Sequence, residues 1–235
     1  MPSLDIGVLY LFAIASLGVY AIVLAGWSSN NKYSLFGGIR ASAQNISYEL
    51  AMTVSVVGVL MAAGSLHLTD VVASQNGTWL GVLPRWNVCT QLLGAITFMV
   101  AAFAETNRLP FDLPEADAEL VGGYHTEYSS MKFAAFFMSE YIHMFVAASL
   151  ITVLFFGGWT LPWIGSPFSG WTQALVSIGI FALKVAFFLW FFVWVRWTLP
   201  RFRFDQLMAL GWKVMVPLSV LNFLWVGFAM GFGLF

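Results

Sequence analysis

Apolar residues run almost without interruption over six segments of this chain: 6–26, 46–66, 88–104, 133–156, 174–197 and 214–235. Each approaches the roughly 20 residues an α-helix needs to cross a hydrocarbon core of about 30 Å. The first carries small residues at Ala13, Ser16, Gly18, Ala21 and Ala25, which allow helices to approach closely in lipid. Polar and turn-forming residues gather between the segments, in connections 27–45, 67–87, 105–132, 157–173 and 198–213. The pattern predicts an all-α integral membrane protein. Residues 1–235 form a single transmembrane helical domain of about six transmembrane helices, with a long acidic cytoplasmic connection between the third and fourth. The loops 27–45, 105–132 and 198–213 are the candidate functional ones.

Charge orients this arrangement. The first, third and fifth connections with their flanks hold Lys32, Arg40, Arg108, Lys132, Arg196, Arg201, Arg203 and Lys213, whereas the second and fourth hold Arg85 alone. Basic residues stay on the cytoplasmic side, so the odd connections are expected there. Composition agrees: the chain is 60% hydrophobic and 9% charged, with mean hydropathy +0.83. The one cysteine, Cys89, excludes an internal disulfide and an iron–sulfur cluster held by this chain alone. Three histidines without a cluster point to no metal site.

The acids are unevenly placed. Six of the eleven, Glu105, Asp112, Glu115, Asp117, Glu119 and Glu127, fall in the stretch 104–128, with Arg108 as its one basic residue. Pro110, Phe111, Pro114, Leu120 and Val121 are interleaved with them, which suits partial burial rather than a solvated tail. On a short helix Glu115 and Glu119 would share a face, and two facing carboxyls ordinarily hold one proton between them. Glu49, Glu140 and Lys184 lie inside apolar segments, where an ionisable group is costly and points to function. His143 follows Glu140 by one turn, close enough to exchange a proton with it. Lys184 needs a partner in its apolar surroundings, and Glu140 is one candidate. The Gly37–Gly38 pair reads as a hinge in the first connection.

The segment AETNRLPFDLPEADAELVGGYHTEYSSMKFAAFFMSEY (104–141) closely resembles the signature of one membrane subunit of respiratory complex I, designated H in bacteria and 1 in mitochondria. GWSSNNKYSLFGGIRASAQNISYE (26–49) and PRFRFDQLMALGWK (200–213) resemble two further segments of that family, in the same order. The resemblance implies a quinone-binding, proton-coupling membrane subunit of NADH:quinone oxidoreductase, a translocase, not catalytic alone. It implies a proton path through Glu49, Glu105, Asp112, Glu115, Asp117, Glu119, Glu127 and Glu140, to which the residues add His143 and Lys184. Lys32, Arg40, Arg108 and Phe111 become candidates for lining the quinone cavity. Quinone is then a substrate, while NADH, flavin and iron–sulfur clusters belong to partner subunits. The implied partners are the other membrane and peripheral-arm subunits, quinone and the lipid bilayer, with no nucleic acid. The implied location is the bacterial cytoplasmic (inner) membrane, or the mitochondrial inner membrane in an organelle. Members of the family are usually longer, with two further N-terminal helices, and this chain begins where the third would begin. Membrane acids with Lys184 would equally serve a stand-alone proton or ion transporter, and the membrane subunit of energy-converting hydrogenases resembles this family too.

Overall fold

The computed structural model describes residues 6–79, 83–112, 122–161 and 170–233. Five helices in it are long and apolar enough to cross a membrane: α1 (Gly7–Ser28), α2 (Lys32–Ala63), α6 (Ser130–Phe155), α7 (Trp171–Thr198) and α8 (Phe204–Gly231). Between α2 and α6 lie the short α3 (Leu68–Ser74), α4 (Asn87–Thr90) and α5 (Leu92–Glu105). A two-residue ladder, Thr78–Trp79 against Leu83–Pro84, joins α3 to α4. The chain is thus an all-α, multi-pass membrane protein.

Three boundaries differ from the hydropathy pattern, each for a packing reason. The expected loop 27–45 shrinks to a turn at 29–31, because α2 begins at Lys32 behind an Asn31 cap whose side chain accepts the Tyr33 N–H at 3.0 Å. The first half of α2 is polar on its inner face: Ser34, Gly37, Gly38, Ala41, Ser42 and Asn45 are all buried. They recur at helical spacing, but being small or polar they lower the hydropathy of a helix that is nonetheless packed. Gly37–Gly38 is therefore no hinge. A Cβ on Gly37 would come within 2.8 Å of the Gly123 Cα, and one on Gly38 within 3.2 Å of the Ile22 carbonyl. Both glycines let backbones meet.

The last helix likewise starts early, at Phe204 rather than at 214. Its Gly211–Met215 turn is a π-helix, a rare local widening of an α-helix. It faces α2. The Tyr48 hydroxyl donates to the Leu207 carbonyl at 2.9 Å, and Trp212 Nε1 donates to Ser47 Oγ at 3.1 Å. The expected segment 88–104 is broken at Gln91 (φ −130°, ψ 54°), leaving α5 with 14 residues, about 21 Å long.

The core lies where α2, α5 and α8 meet, with α1 laid along α2. Aromatic pairs fasten the outer helices: Phe98 to Phe155 at 5.6 Å and Phe103 to Phe192 at 4.1 Å between ring centres. Hydrogen bonds sort the connections into two ends. At one, Asn31 Nδ2 donates to Glu127 Oε1 at 2.8 Å and the Phe202 N–H to the Pro110 carbonyl at 3.2 Å, joining the first, third and fifth connections. At the other, Gln75 Nε2 donates to the Val153 carbonyl at 2.9 Å, its Oε1 accepts the Gly157 N–H at 2.9 Å, and Asn87 Nδ2 donates to the Leu154 carbonyl at 2.8 Å. This is the alternation a multi-pass chain requires.

Candidate functional site

Glu49 and Glu105 lie on α2 and α5, on the side of the bundle whose end joins the odd connections. Because α2 starts at Lys32, Glu49 stands midway along it rather than near an interface. Its Oε1 accepts a hydrogen bond from Ser16 Oγ on α1, and the same hydroxyl reaches the Phe12 carbonyl at 2.9 Å. Glu105 closes α5, which packs along α2 in the opposite direction. Glu49 and Glu105 thus stand half-buried on two helices that pack against each other, with the Ser16 hydroxyl bound to Glu49. His143, on α6, lies against α1, with Cε1 3.6 Å from where a Gly18 Cβ would stand.

A second buried group sits on the α5–α6 side. Arg108 Nη2 and Glu140 Oε2 are 3.0 Å apart, with the guanidinium 4.5 Å from the Tyr141 ring centre. Both residues are buried, 8% and 5% exposed. Lys184, in contrast, does not reach Glu140. It donates to the carbonyls of Phe156, Gly158 and Thr160 at 2.8, 3.0 and 2.8 Å, and lies 5.0 Å from the Trp86 ring centre. An ammonium has three donors, and here the end of α6 takes all of them. The pairing that hydropathy suggested between Lys184 and Glu140 is replaced by two separate ties, one at each end of the bundle.

The remaining expected residues spread around this centre. Arg40 is half-buried over the Phe204 ring at 5.6 Å, linking α2 to the start of α8. Lys32 is exposed, beside Tyr33. The Asp112 carbonyl accepts from Arg201 Nη2, while Glu127 is exposed and bound to Asn31. Glu115, Asp117 and Glu119 lie outside the described residues. Phe111 is buried at 5.7 Å from the Tyr48 ring and 5.6 Å from that of Phe202. It borders an apolar cavity of about 580 Å³ walled by Met99, Phe103, Phe191, Phe202 and Met215. Such a space suits a hydrocarbon chain and gives a polar headgroup nothing to bind.

Two buried residues were missed by the hydropathy pattern. Gln44 is fully buried on α2, and its Nε2 donates to the carbonyls of Ala104 and Phe111 at 2.8 and 2.9 Å. It holds the acidic connection where α5 releases it. Its signal was an amide on the same helical face as Tyr48 and Ala41, visible only once α2 is extended. His125 is 5% exposed among the rings of Tyr124, Phe133, Phe136 and Phe137, 3.8 to 5.9 Å between centres. Burial lowers its pKa to about 4, so it is a neutral imidazole at pH 7. Among the described residues, no three His, Cys, Asp or Glu are gathered as a metal would require.

Known proteins share this sequence along its whole length. The NADH dehydrogenase family profile matches residues 1–227. The chain is 49% identical over 230 residues to the H 1 subunit of NADH-quinone oxidoreductase from Cytophaga hutchinsonii, covering 97% of this chain and 65% of that protein. It is 50% identical over 246 residues to NADH-quinone oxidoreductase subunit 8 of Rhodothermus marinus, covering 100% of this chain and 70% of that one. With the NADH-quinone oxidoreductase H subunit of Leptospira biflexa the identity is 54% over 216 residues, 91% of this chain and 58% of the relative. The chain spans about two thirds of the length of the curated relatives it matches. With that match running across the whole bundle, this multi-pass chain belongs to the NADH dehydrogenase family.

Proposed function

We propose that this chain is the quinone-binding and proton-coupling membrane subunit of an NADH:quinone oxidoreductase in a bacterial cytoplasmic membrane. The observation that carries the reading is Glu49, half-buried midway along α2 and bound to Ser16, on a helix packed against the one that Glu105 closes, in a chain whose relatives are named as H subunits of NADH-quinone oxidoreductase. Reduction of a quinone takes up two electrons and two protons. A carboxyl that yields a proton inside the membrane must regain one, and carboxyls on neighbouring packed helices can relay it. The further acids of the 105–132 connection belong to the same relay. Arg40 is the cation that steadies a quinone headgroup there, and the apolar cavity beside Phe111 takes part of an isoprenoid tail. Electrons arrive from NADH, flavin and iron–sulfur groups on partner subunits, and the odd connections face those partners in the cytoplasm.

The rival is a transporter acting alone. Purified by itself in liposomes, this chain should carry no proton current and reduce no quinone. Current from the isolated chain would sink the proposal that it works only within a complex.

A further inference from the structure

We infer that a single water molecule is held inside the bundle at the break between α4 and α5, bound between the side-chain amides of Gln91 and Asn222. Both residues are buried, at 1% and 0% exposure. Asn222, on α8, accepts the Gly94 N–H through Oδ1 at 3.1 Å. That N–H lies in the first turn of α5, where a helix has no partner of its own to offer. The bond fixes the orientation of the Asn222 amide and turns Nδ2 away from Gly94's N–H. Gln91 Nε2 donates to the Gly58 carbonyl at 3.3 Å, which fixes the second amide and turns Oε1 away in its turn. Among the described residues, neither Asn222 Nδ2 nor Gln91 Oε1 has a hydrogen-bond partner.

Both atoms face the same glycine. Each lies 3.1 Å from where a Cβ on Gly58 would stand, with Val226 Cγ2 at 3.5 Å, and Asn222 Nδ2 lies 2.7 Å from where a Gly94 Cβ would stand. An unbonded donor and an unbonded acceptor thus meet where two helix backbones carry no side chain. Their chemistry selects the ligand. An anion would meet the Gln91 carbonyl oxygen, and a cation would meet the Asn222 NH2 and the positive end of α5. A water accepts from one and donates to the other, and buried polar groups without protein partners are the usual sites of internal water. The molecule ties α2, the α4–α5 break and α8 into one hydrogen-bonded unit. One turn from Gly58, Gly94 and Asn222, on the same faces, come the buried hydroxyls of Ser55, Thr97 and Ser219, each bound to a carbonyl of its own helix.

X-ray radiolytic labelling tests this, because radicals formed from a held water oxidise the side chains around it. The protein in nanodiscs is irradiated just after mixing into water enriched in oxygen-18. Val226, at 0% exposure, should be oxidised well above the equally buried Leu154 and should gain mainly oxygen-16, from water already in place. Gly58→Ala, which fills the space, should bring Val226 down to the Leu154 level. Gln91→Met, which keeps the volume and removes the acceptor, should do the same. Val226 labelled no more than Leu154, labelled in both variants, or labelled with bulk oxygen-18 would each overturn the proposal.

Discussion

Breaking the Arg108–Glu140 pair should be among the most damaging single changes in the bundle. At 3.0 Å the two charges attract by about 5 kcal/mol if an effective dielectric of about 20 applies, and desolvation of both groups offsets much of that gain. Removing one partner is different, because the other stays buried and uncompensated, at a cost of about 3–5 kcal/mol. Arg108→Ala or Glu140→Ala should therefore lower the melting temperature on the order of 10 °C, taking about 2–4 °C per kcal/mol for a chain of this size. The double variant Arg108→Met with Glu140→Leu should recover to within about 1 kcal/mol of the parent, since an apolar replacement of a buried pair is often neutral. Thermal unfolding in nanodiscs, run as a double-mutant cycle, checks the numbers. Additive losses, with each single change costing under about 1 kcal/mol, would refute the pairing as a buried tie.

Two further outcomes follow from the same geometry. Burial holds His125 near a pKa of about 4 against an ordinary 6.5, so the unfolded chain takes up a proton before the folded one does. Stability is complete above pH 6.5 and should fall by up to roughly 3 kcal/mol as the pH drops from 6.5 to 4. His125→Phe should flatten that slope between pH 7 and 4 in chemical denaturation, and an unchanged slope would show that the imidazole is not what titrates. Lys184→Met removes three charge-assisted hydrogen bonds to the end of α6 and should cost about 3 kcal/mol. Proteolysis should then open the 156–160 turn first, and cleavage elsewhere would contradict the assignment of Lys184 as its clasp.

Hydropathy made the membrane helices legible because their lipid-facing residues dominate the count. Leu9, Ile14 and Leu17 on α1 and Leu183, Phe187 and Trp190 on α7 are all exposed. The same scale hid the first half of α2 and the first turns of α8, where the inward face is built from Ser34, Gly37, Ser42 and Gln44, or widened by the Gly211–Met215 turn. Glycine and serine are polar to a scale and yet buried in a tight contact. Glu49 and Glu140 stood out because charge is rare inside apolar segments, and Glu105 because it opens the acidic connection, but their partners did not. Arg108 follows α5 by three residues and reaches Glu140 only after the chain turns back, and no local spacing encodes that. Gln91 and Asn222 come from distant parts of the sequence, for the same reason beyond a pattern reading.

The most direct measurement of the central claim is the proton-to-electron ratio of the assembled, reconstituted enzyme carrying Glu49→Gln or Glu105→Gln. Glutamine keeps the shape and the hydrogen bond to Ser16 but cannot gain and lose a proton. Both variants should assemble, pass electrons from NADH to ferricyanide at the parental rate, and lose coupled quinone reduction together with proton release. Parental quinone reduction with a full proton yield in either variant would contradict the carboxyl pair as the coupling element.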